Sequence, residues 1–316
     1  MRILRHPAAL EPAERGSVVA IGNFDGVHLG HQLVIGRARE IARGLGAPLA
    51  VLTFEPHPYG VFNPKAPPFR LTPLRGKARA LEALGVDLLF VLHFDLAFAQ
   101  VSAEDFARDV IATGTQARHA LVGYDFHFGH KRRGTPALLQ ELGAALGFGV
   151  TVVEPIAAPG GAVYSSTRIR EHLAAGHPRD AAALLGRPFE IEGRVETGDR
   201  RGRTIGFPTA NLSLGDFLRP AGGVYAVRVA TESESEWRDG VANLGTRPTV
   251  GGSDLRLETH LFDFAGDLYG RHLRVALIEH LRPERKFAGL DELKAQIATD
   301  ADRARAILAA EPRPLG

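Results

Sequence analysis

The sequence predicts an α/β domain on a parallel sheet over residues 1–186, followed by a small all-β domain with a closing helix over residues 187–316. Three observations carry this. The chain has 316 residues, room for two domains at about 150 residues each. Up to Gly186, short apolar runs alternate with segments of helical periodicity. From Pro188 to about Leu281 that periodicity nearly vanishes, and short strand-like runs separated by turn residues replace it.

The first strand is expected at residues 17–21 (SVVAI), followed by a glycine-bearing loop and a helix in which Val34, Ala38, Ile41 and Leu45 recur at three- to four-residue spacing. The pattern repeats with a strand at 47–54 (APLAVLTF), a helix around Lys77 to Leu84 and a strand at 86–94 (VDLLFVLHF). Ser102 with Asp105 three positions on makes a capping box for a helix through Phe106 and Val110. A strand at 119–123 (HALVG) comes next. Thr135 as N-cap, Pro136 at the first helical position and Gly147 beyond the end delimit a further helix before the strand at 150–156 (VTVVEPI). Strands separated by helices favour a parallel sheet covered on both faces, with ligands at the carboxyl ends of the strands. The second part offers six strand candidates: 189–195, 209–214, 223–230, 240–245, 255–264 and 272–281. Such a series suits a small barrel or sandwich. A final helix can place Leu290, Leu293, Ile297, Ala301 and Leu308 on one face, and the polar residues 231–236 (TESESE) read as a solvated hairpin loop.

Lys plus Arg number 38 against 36 Asp plus Glu, a formal charge of +2, so no long-range field draws the chain to nucleic acid or an anionic membrane. Phosphate recognition must be local. The absence of cysteine removes disulfides, thiolate catalysis and cysteine metal sites. No apolar run approaches the roughly 18 residues that span a bilayer, and the N-terminus lacks a signal-peptide core, so a cytoplasmic protein without membrane or nucleic-acid partners is expected. Ten of the 13 histidines precede Gly186, and only five residues are lysines: Lys65, Lys77, Lys131, Lys286 and Lys294.

Residues 22–32 (GNFDGVHLGHQ) stand where the first strand ends and the first helix begins. Free backbone N–H groups and the helix dipole favour an anion there. Gly30 lets the backbone come close to a ligand, and His28 and His31 can donate to phosphate oxygens; the bland alternative is a turn with two surface histidines. Zinc is less suited, because no third ligand has an evident place. At residues 165–170 (SSTRIR), three hydroxyls followed by Arg168 and Arg170 open a helix. They either cap it or form a second anion-binding surface. Residues 53–58 (TFEPHP) and 123–129 (GYDFHFG) lie at strand ends. Their aromatics suit either a core or the walls of a flat-ligand pocket, and Asp125 suits a polar ligand, magnesium or an Asx turn.

Together, GNFDGVHLGHQ, TFEPHP, GYDFHFG and SSTRIR resemble the N-terminal module of the bacterial bifunctional riboflavin kinase/FAD synthetase family, a Rossmann-like nucleotidyltransferase domain. The resemblance implies transfer of AMP from ATP to FMN, giving FAD and pyrophosphate. It places ATP at Gly22, Asp25, His28, Gly30 and His31, with Ser166, Thr167 and Arg170 on the triphosphate, and flavin against Asp125 and an aromatic among Phe54, Phe62, Phe126 and Phe128, with Phe62 and Phe128 preferred. Tyr164 departs from the family, which more often has an aliphatic residue before the serines.

In the second half, residues 202–212 (GRTIGFPTANL) bring Pro208 before Thr209 and Asn211, whose oxygens are hard ligands of the kind magnesium accepts beside phosphates. Glycines at 193 and 198, with Arg200 and Arg203, make a cationic stretch upstream. An ordinary turn is the alternative. Glu258 alternates with apolar residues on a strand, a position that suits either a solvated carboxylate or a general base. With 222–227 (GGVYAV), 240–249 (GVANLGTRPT), 258–270 (ETHLFDFAGDLYG) and 281–300, these motifs resemble the riboflavin kinase module of the same family, a six-stranded barrel. That implies γ-phosphoryl transfer from ATP to riboflavin, giving FMN and ADP. Thr209 and Asn211 would sit at Mg-ATP, Glu258 would act as base on the ribityl hydroxyl, and Gly198, Gly202 and Arg203 would contribute to the phosphate loop. Two other readings are a chain with one active half and a non-catalytic flavin- or nucleotide-binding regulator. The presence of all six groups His28, His31, Arg170, Thr209, Asn211 and Glu258 argues against the regulator.

Overall fold

A computed structural model describes residues 1–5, 10–155, 163–196, 207–231, 236–249 and 252–312. Contacts divide the chain into two compact units, Met1–Ala66 with Thr72–Ser165, and Pro67–Leu71 with Ser166–Gly316. The change of strand pattern near Gly186 and the division by contacts fall at different places. Two helices, α6 (Ser166–Ala174) and α7 (Pro178–Leu185), precede the first barrel strand yet belong to the second unit. They bury Ile169, Leu173, Ala181, Leu184 and Leu185, and the Ala221 N–H bonds to the Leu173 carbonyl at 2.9 Å.

The first unit holds a six-stranded sheet: β1 (Arg2–Leu4), β2 (Val18–Ile21), β3 (Leu49–Glu55), β4 (Leu88–His93), β5 (His119–Gly123) and β6 (Gly149–Val153). The order is β1-β4-β3-β2-β5-β6, every pair parallel. The short edge strand β1 carries too few residues for a period-two signal. From central β2 the chain runs outward to β3 and β4, then returns to lay β5 on the other side. This reversal opens a crevice at the carboxyl ends of β2 and β5. Alternation along the strands feeds two cores. Val19, Ile21, Leu52 and Phe90 face one helix layer, and Val18, Ala20, Val51 and Leu89 the other.

Helix α1 (Leu29–Leu45) buries Ile35, Ala38 and Ala42, packs Val34 and Ile41 of the expected seam against the same core, and leaves Leu45 exposed. Helices α2 (Pro58–Phe62) and α3 (Leu74–Ala83) follow β3. Helix α4 (Ala103–Asp105) continues as a π-helix over Phe106–Gly114. Half of the expected capping box forms: Ser102 Oγ accepts the Asp105 N–H at 3.0 Å, while the Asp105 carboxylate pairs with Arg108. Helix α5 (Pro136–Leu146) has its N-cap at Thr135, which accepts from Leu138 at 3.2 Å, and ends on left-handed Gly147.

In the second unit, β7 (Phe189–Arg194), β8 (Ala210–Ser213), β9 (Gly223–Thr231), β10 (Arg238–Thr249), β11 (Gly252–Leu261) and β12 (His272–Arg282) pair antiparallel in the order β7-β12-β9-β10-β11-β8. Just past β7, the Glu196 N–H bonds to the Asn211 carbonyl of β8 at 2.9 Å and brings the ends of the sheet together. Residues 232–235, within the expected polar hairpin loop, lie outside the described residues. The final helix, α8 (Leu290–Ala310), packs Ala301, Ala304 and Leu308 against the sheet. Leu290, expected on that face, is exposed at the helix start.

Strand β9 is buried along its whole length, because its outer face lies in the core that α8 closes. Arg228 on that face is 1% exposed. Its guanidinium donates to Asp239 Oδ1 at 3.2 Å and to the carbonyls of Leu308 at 2.8 Å and Glu311 at 2.7 Å, as well as to Pro312. It therefore gathers carbonyls at the end of the helix, adding a second donor to Leu308, whose carbonyl also accepts the Glu311 N–H at 3.3 Å. Arg228→Met is expected to lower unfolding free energy by about 3 kcal/mol, since it strands buried acceptors and the Asp239 partner; urea denaturation measures it.

Candidate functional site

The loop after β2 is bent into unfavourable backbone space. Phe24 (φ 48°) and the β-branched Val27 (φ 44°) both take left-handed conformations around Gly26 (φ 89°). Such strain persists only where surroundings over-determine it, and here they do. Asp25, 2% exposed, accepts the Thr72 N–H at 3.0 Å. The Asn23 carbonyl accepts from Thr53 Oγ1 at 3.1 Å and Lys77 Nζ at 2.8 Å, and Gln32 Nε2 donates to the Val27 carbonyl at 3.0 Å. Through its bond from Thr72, Asp25 braces the loop that carries the histidines. The Gly22 N–H bonds to the Leu52 carbonyl at 3.1 Å.

The loop delivers His28 as N-cap of α1. Its Nδ1 accepts the His31 backbone N–H at 3.3 Å, so a neutral His28 carries its proton on Nε2. The two imidazoles stack with centroids 3.6 Å apart. Desolvation, the His28 ring and the Lys77 ammonium, in that order, hold the His31 pKa well below the ordinary imidazole value. His31 is therefore neutral in the free protein. A side chain at Gly30 would be tight, since a Cβ there would lie 3.1 Å from both His28 Cε1 and Tyr164 Cβ and would require those side chains to give way. The departure at Tyr164 thus packs directly over the glycine.

Lys77 belongs to none of the sequence motifs. It is fully buried and reaches from α3 to Asn23, to Thr53 Oγ1 at 3.2 Å and to Glu55 Oε1 at 3.4 Å. One ammonium thereby ties the ends of β2 and β3 together. The aromatics form a continuous row: Phe62 meets Phe94, then Phe54 and Phe98, then Phe106, Phe128 and Phe126. Phe128 and Phe54 are core residues, whereas Phe62 is 57% exposed. Phe126 stacks on Phe128 at 5.5 Å. Asp125 is exposed in the turn after β5, where its carbonyl meets His127 Nδ1 at 2.9 Å.

In the second unit, Ser166 and Thr167 begin α6. One turn on, Arg170 Nε donates to the Phe69 carbonyl at 2.9 Å, with its guanidinium 5.6 Å from the Phe69 ring centre.

On the barrel, strand register rather than sequence proximity assembles a polar row. Glu258 of β11 lies opposite Asn211 of β8 on one side and Asn243 of β10 on the other, so the three side chains share a face. Asn211 is 6% exposed, and its Oδ1 has no hydrogen-bond partner among the described residues. Asn243 Nδ2 donates to Glu284 Oε1 at 3.2 Å. Leu257 and Thr259 turn to the opposite, fully buried face. Just before β8, His260 Nδ1 meets the Pro208 carbonyl at 2.8 Å and the ring packs edge-on to Phe207 at 5.4 Å. Both contacts fix the approach to half-buried Thr209. Gly198, Arg200, Gly202 and Arg203 lie outside the described residues.

The family model for FAD synthetase matches residues 10–168, and that for riboflavin kinase matches residues 185–308. The bifunctional riboflavin kinase/FMN adenylyltransferase of Escherichia coli (strain K12) is 46% identical over 96% of this chain and 97% of its own length. The Bacillus subtilis (strain 168) protein of the same name is 41% identical over 95% and 96%. Among solved structures, one described as a macrolide-efflux protein from Streptococcus pneumoniae superposes with a TM-score of 0.84 at 32% identity, covering 96% of this chain and 98% of that one. In the present chain, no helix among the described residues is long and apolar enough to cross a membrane. With both family models in tandem and relatives matched end to end, the chain belongs to the bifunctional riboflavin kinase/FMN adenylyltransferase family.

Proposed function

We propose that the two reactions of this family are divided between the halves of the chain, with adenylyl transfer from ATP to FMN in residues 1–186 and phosphorylation of riboflavin by ATP in residues 187–316. The observation that carries the division is that each half of the chain, 1–186 and 187–316, has a polar cluster of its own. The strained histidine loop lies at the sheet's point of reversal, and the Asn211–Glu258–Asn243 row crosses three barrel strands.

In the first reaction an FMN phosphate oxygen attacks the α-phosphorus of ATP, and the bond to the bridging oxygen breaks, releasing pyrophosphate. The attacking group is already anionic, so no base is required. The protein aligns it and offsets charge on the leaving group. Gly30 admits the phosphates and Gly22 the adjoining nucleotide, His28 and neutral His31 donate to phosphate oxygens, and Ser166, Thr167 and Arg170 bind the triphosphate. Asp25 holds the loop and lines the ATP site. Phe62 offers the exposed ring for the isoalloxazine, Phe128 backs Phe126, and Asp125 takes a polar edge.

In the second, the riboflavin 5′-hydroxyl is a poor nucleophile. Glu258 accepts its proton as the oxygen attacks the γ-phosphorus and ADP departs. Thr209 and Asn211 supply hard oxygen ligands, and the buried Asn211 Oδ1, without a hydrogen-bond partner among the described residues, fits a magnesium ion carried with ATP. Magnesium bound with ATP neutralises phosphate charge. Gly198, Gly202 and Arg203 complete the phosphate loop. The near-neutral chain works in the cytoplasm, on small molecules rather than on nucleic acid or membrane.

With riboflavin, ATP and magnesium, chromatography is expected to show FMN rising and then giving way to FAD. One ADP should form per phosphorylated flavin and one pyrophosphate per FAD, and EDTA should halt both steps. ADP without pyrophosphate would favour a chain with one active half, and neither product would overturn the proposal.

A further inference from the structure

The second unit carries a cluster that neither reaction uses. Helix α6 ends in a Schellman turn: Gly176 is left-handed (φ 78°), the His177 N–H bonds to the His172 carbonyl at 2.8 Å, and the Gly176 N–H to that of Leu173 at 3.2 Å. This turn juxtaposes the residues at its two ends, which are commonly an apolar pair. In this chain both are histidine. Pro178 then starts α7 at once, and Asp180 falls in its first turn, where the helix dipole favours a carboxylate.

The outcome is two imidazole nitrogens facing one carboxylate. His172 Nδ1 lies 3.7 Å and His177 Nδ1 3.9 Å from the same oxygen, Asp180 Oδ2, and the three atoms lie within 4.8 Å of one another. Those separations exceed hydrogen-bond length. They approach the spacing between ligands around one first-row cation, about 3.3–3.5 Å for metal–ligand bonds near 2.1 Å in a tetrahedral site. Arg179, the nearest cation in sequence, is turned away to Glu279 and Glu311. The His177 and Asp180 side chains are open to solvent, leaving access for an ion and its waters.

We propose that His172, His177 and Asp180 form a binding site for a borderline divalent transition cation such as zinc, with water completing the coordination. Two imidazoles select against magnesium, which prefers oxygen donors. The ion clasps the end of α6 to the start of α7, using a turn whose backbone hydrogen bonds already set the spacing of the two histidines.

The test is zinc binding by equilibrium dialysis of the untagged full chain, with magnesium as the control ion. Because His28 and His31 also offer imidazoles, the quantity read is the difference between wild type and variants. Wild type is expected to bind one more equivalent of zinc than His172→Asn/His177→Asn, and to gain a zinc-dependent rise in Tm that the double variant and Asp180→Asn both lack. FMN formation without added zinc should be unchanged in all three proteins, showing that they are folded. Equal zinc stoichiometry and equal Tm response in wild type and variants would overturn the proposal, as would an equal response to magnesium.

Discussion

Asn211→Ala is expected to lower the rate of riboflavin phosphorylation by about 10²- to 10³-fold, a loss of the size seen when one preorganised polar group is removed from charge developing in the transition state. Adenylylation of supplied FMN should continue at the wild-type rate. The reasons are local. The Asn211 amide oxygen is buried with no hydrogen-bond partner among the described residues, so truncation removes an oxygen ligand for the cation carried with ATP and breaks no described side-chain bond of that atom. The backbone of Asn211 stays in place through its pairing with Glu258 and the bond from the Glu196 N–H at 2.9 Å. Feeding either riboflavin or FMN and separating the flavins measures both rates in one preparation. Loss of both activities in a folded variant would refute one site per half.

The converse is expected of His28→Ala combined with His31→Ala: adenylylation falls by about 10³-fold, since removal of one donor costs about 10²- to 10³-fold and two stacked groups acting on the same phosphates are not additive, while riboflavin still yields FMN. Here structure and chemistry overlap, because His28 is also the N-cap of α1. Losing a cap costs about 1 kcal/mol. A third variant separates the effects. His28→Asn keeps an N-cap acceptor but not the imidazole Nε2–H, so it should recover the thermal stability lost in His28→Ala without recovering adenylylation. Because folding holds His31 neutral, acidification below about pH 6.5 protonates that imidazole more readily in the unfolded chain. Stability contributed by neutral His31 is thus present above that pH and lost as pH falls toward the lowered folded value. Rates are therefore best compared near pH 8.

The histidine loop could be read because its signals are local. A strand, a glycine-bearing turn and a capping residue lie within about fifteen positions, and each has a steric or electrostatic reason to be there. The strands around Glu258 were legible by alternation for the same reason. Lys77 was not, because it lies on α3, and only the sheet order carries Asn23, Thr53 and Glu55 to its ammonium. Asn243 was likewise hidden in an ordinary strand until antiparallel register set it beside Glu258. The bond that Asp25 accepts from the backbone N–H of Thr72, a residue remote in sequence, was equally invisible to local pattern. Composition could not decide between a packed Phe128 and an exposed Phe62, since the two rings have the same chemistry and differ only in what surrounds them.

The sequence by itself determined the two-part architecture, the order of the motifs and the residue types available at each strand end. These follow from periodicity, capping and turn chemistry, all short-range effects. Only the tertiary structure decided which of those residues share a face, which ammonium lies under which loop, which ring stays open to solvent, and that His172, His177 and Asp180 converge. Such choices depend on strand order, register and helix packing, which join positions tens of residues apart through burial that no local pattern encodes.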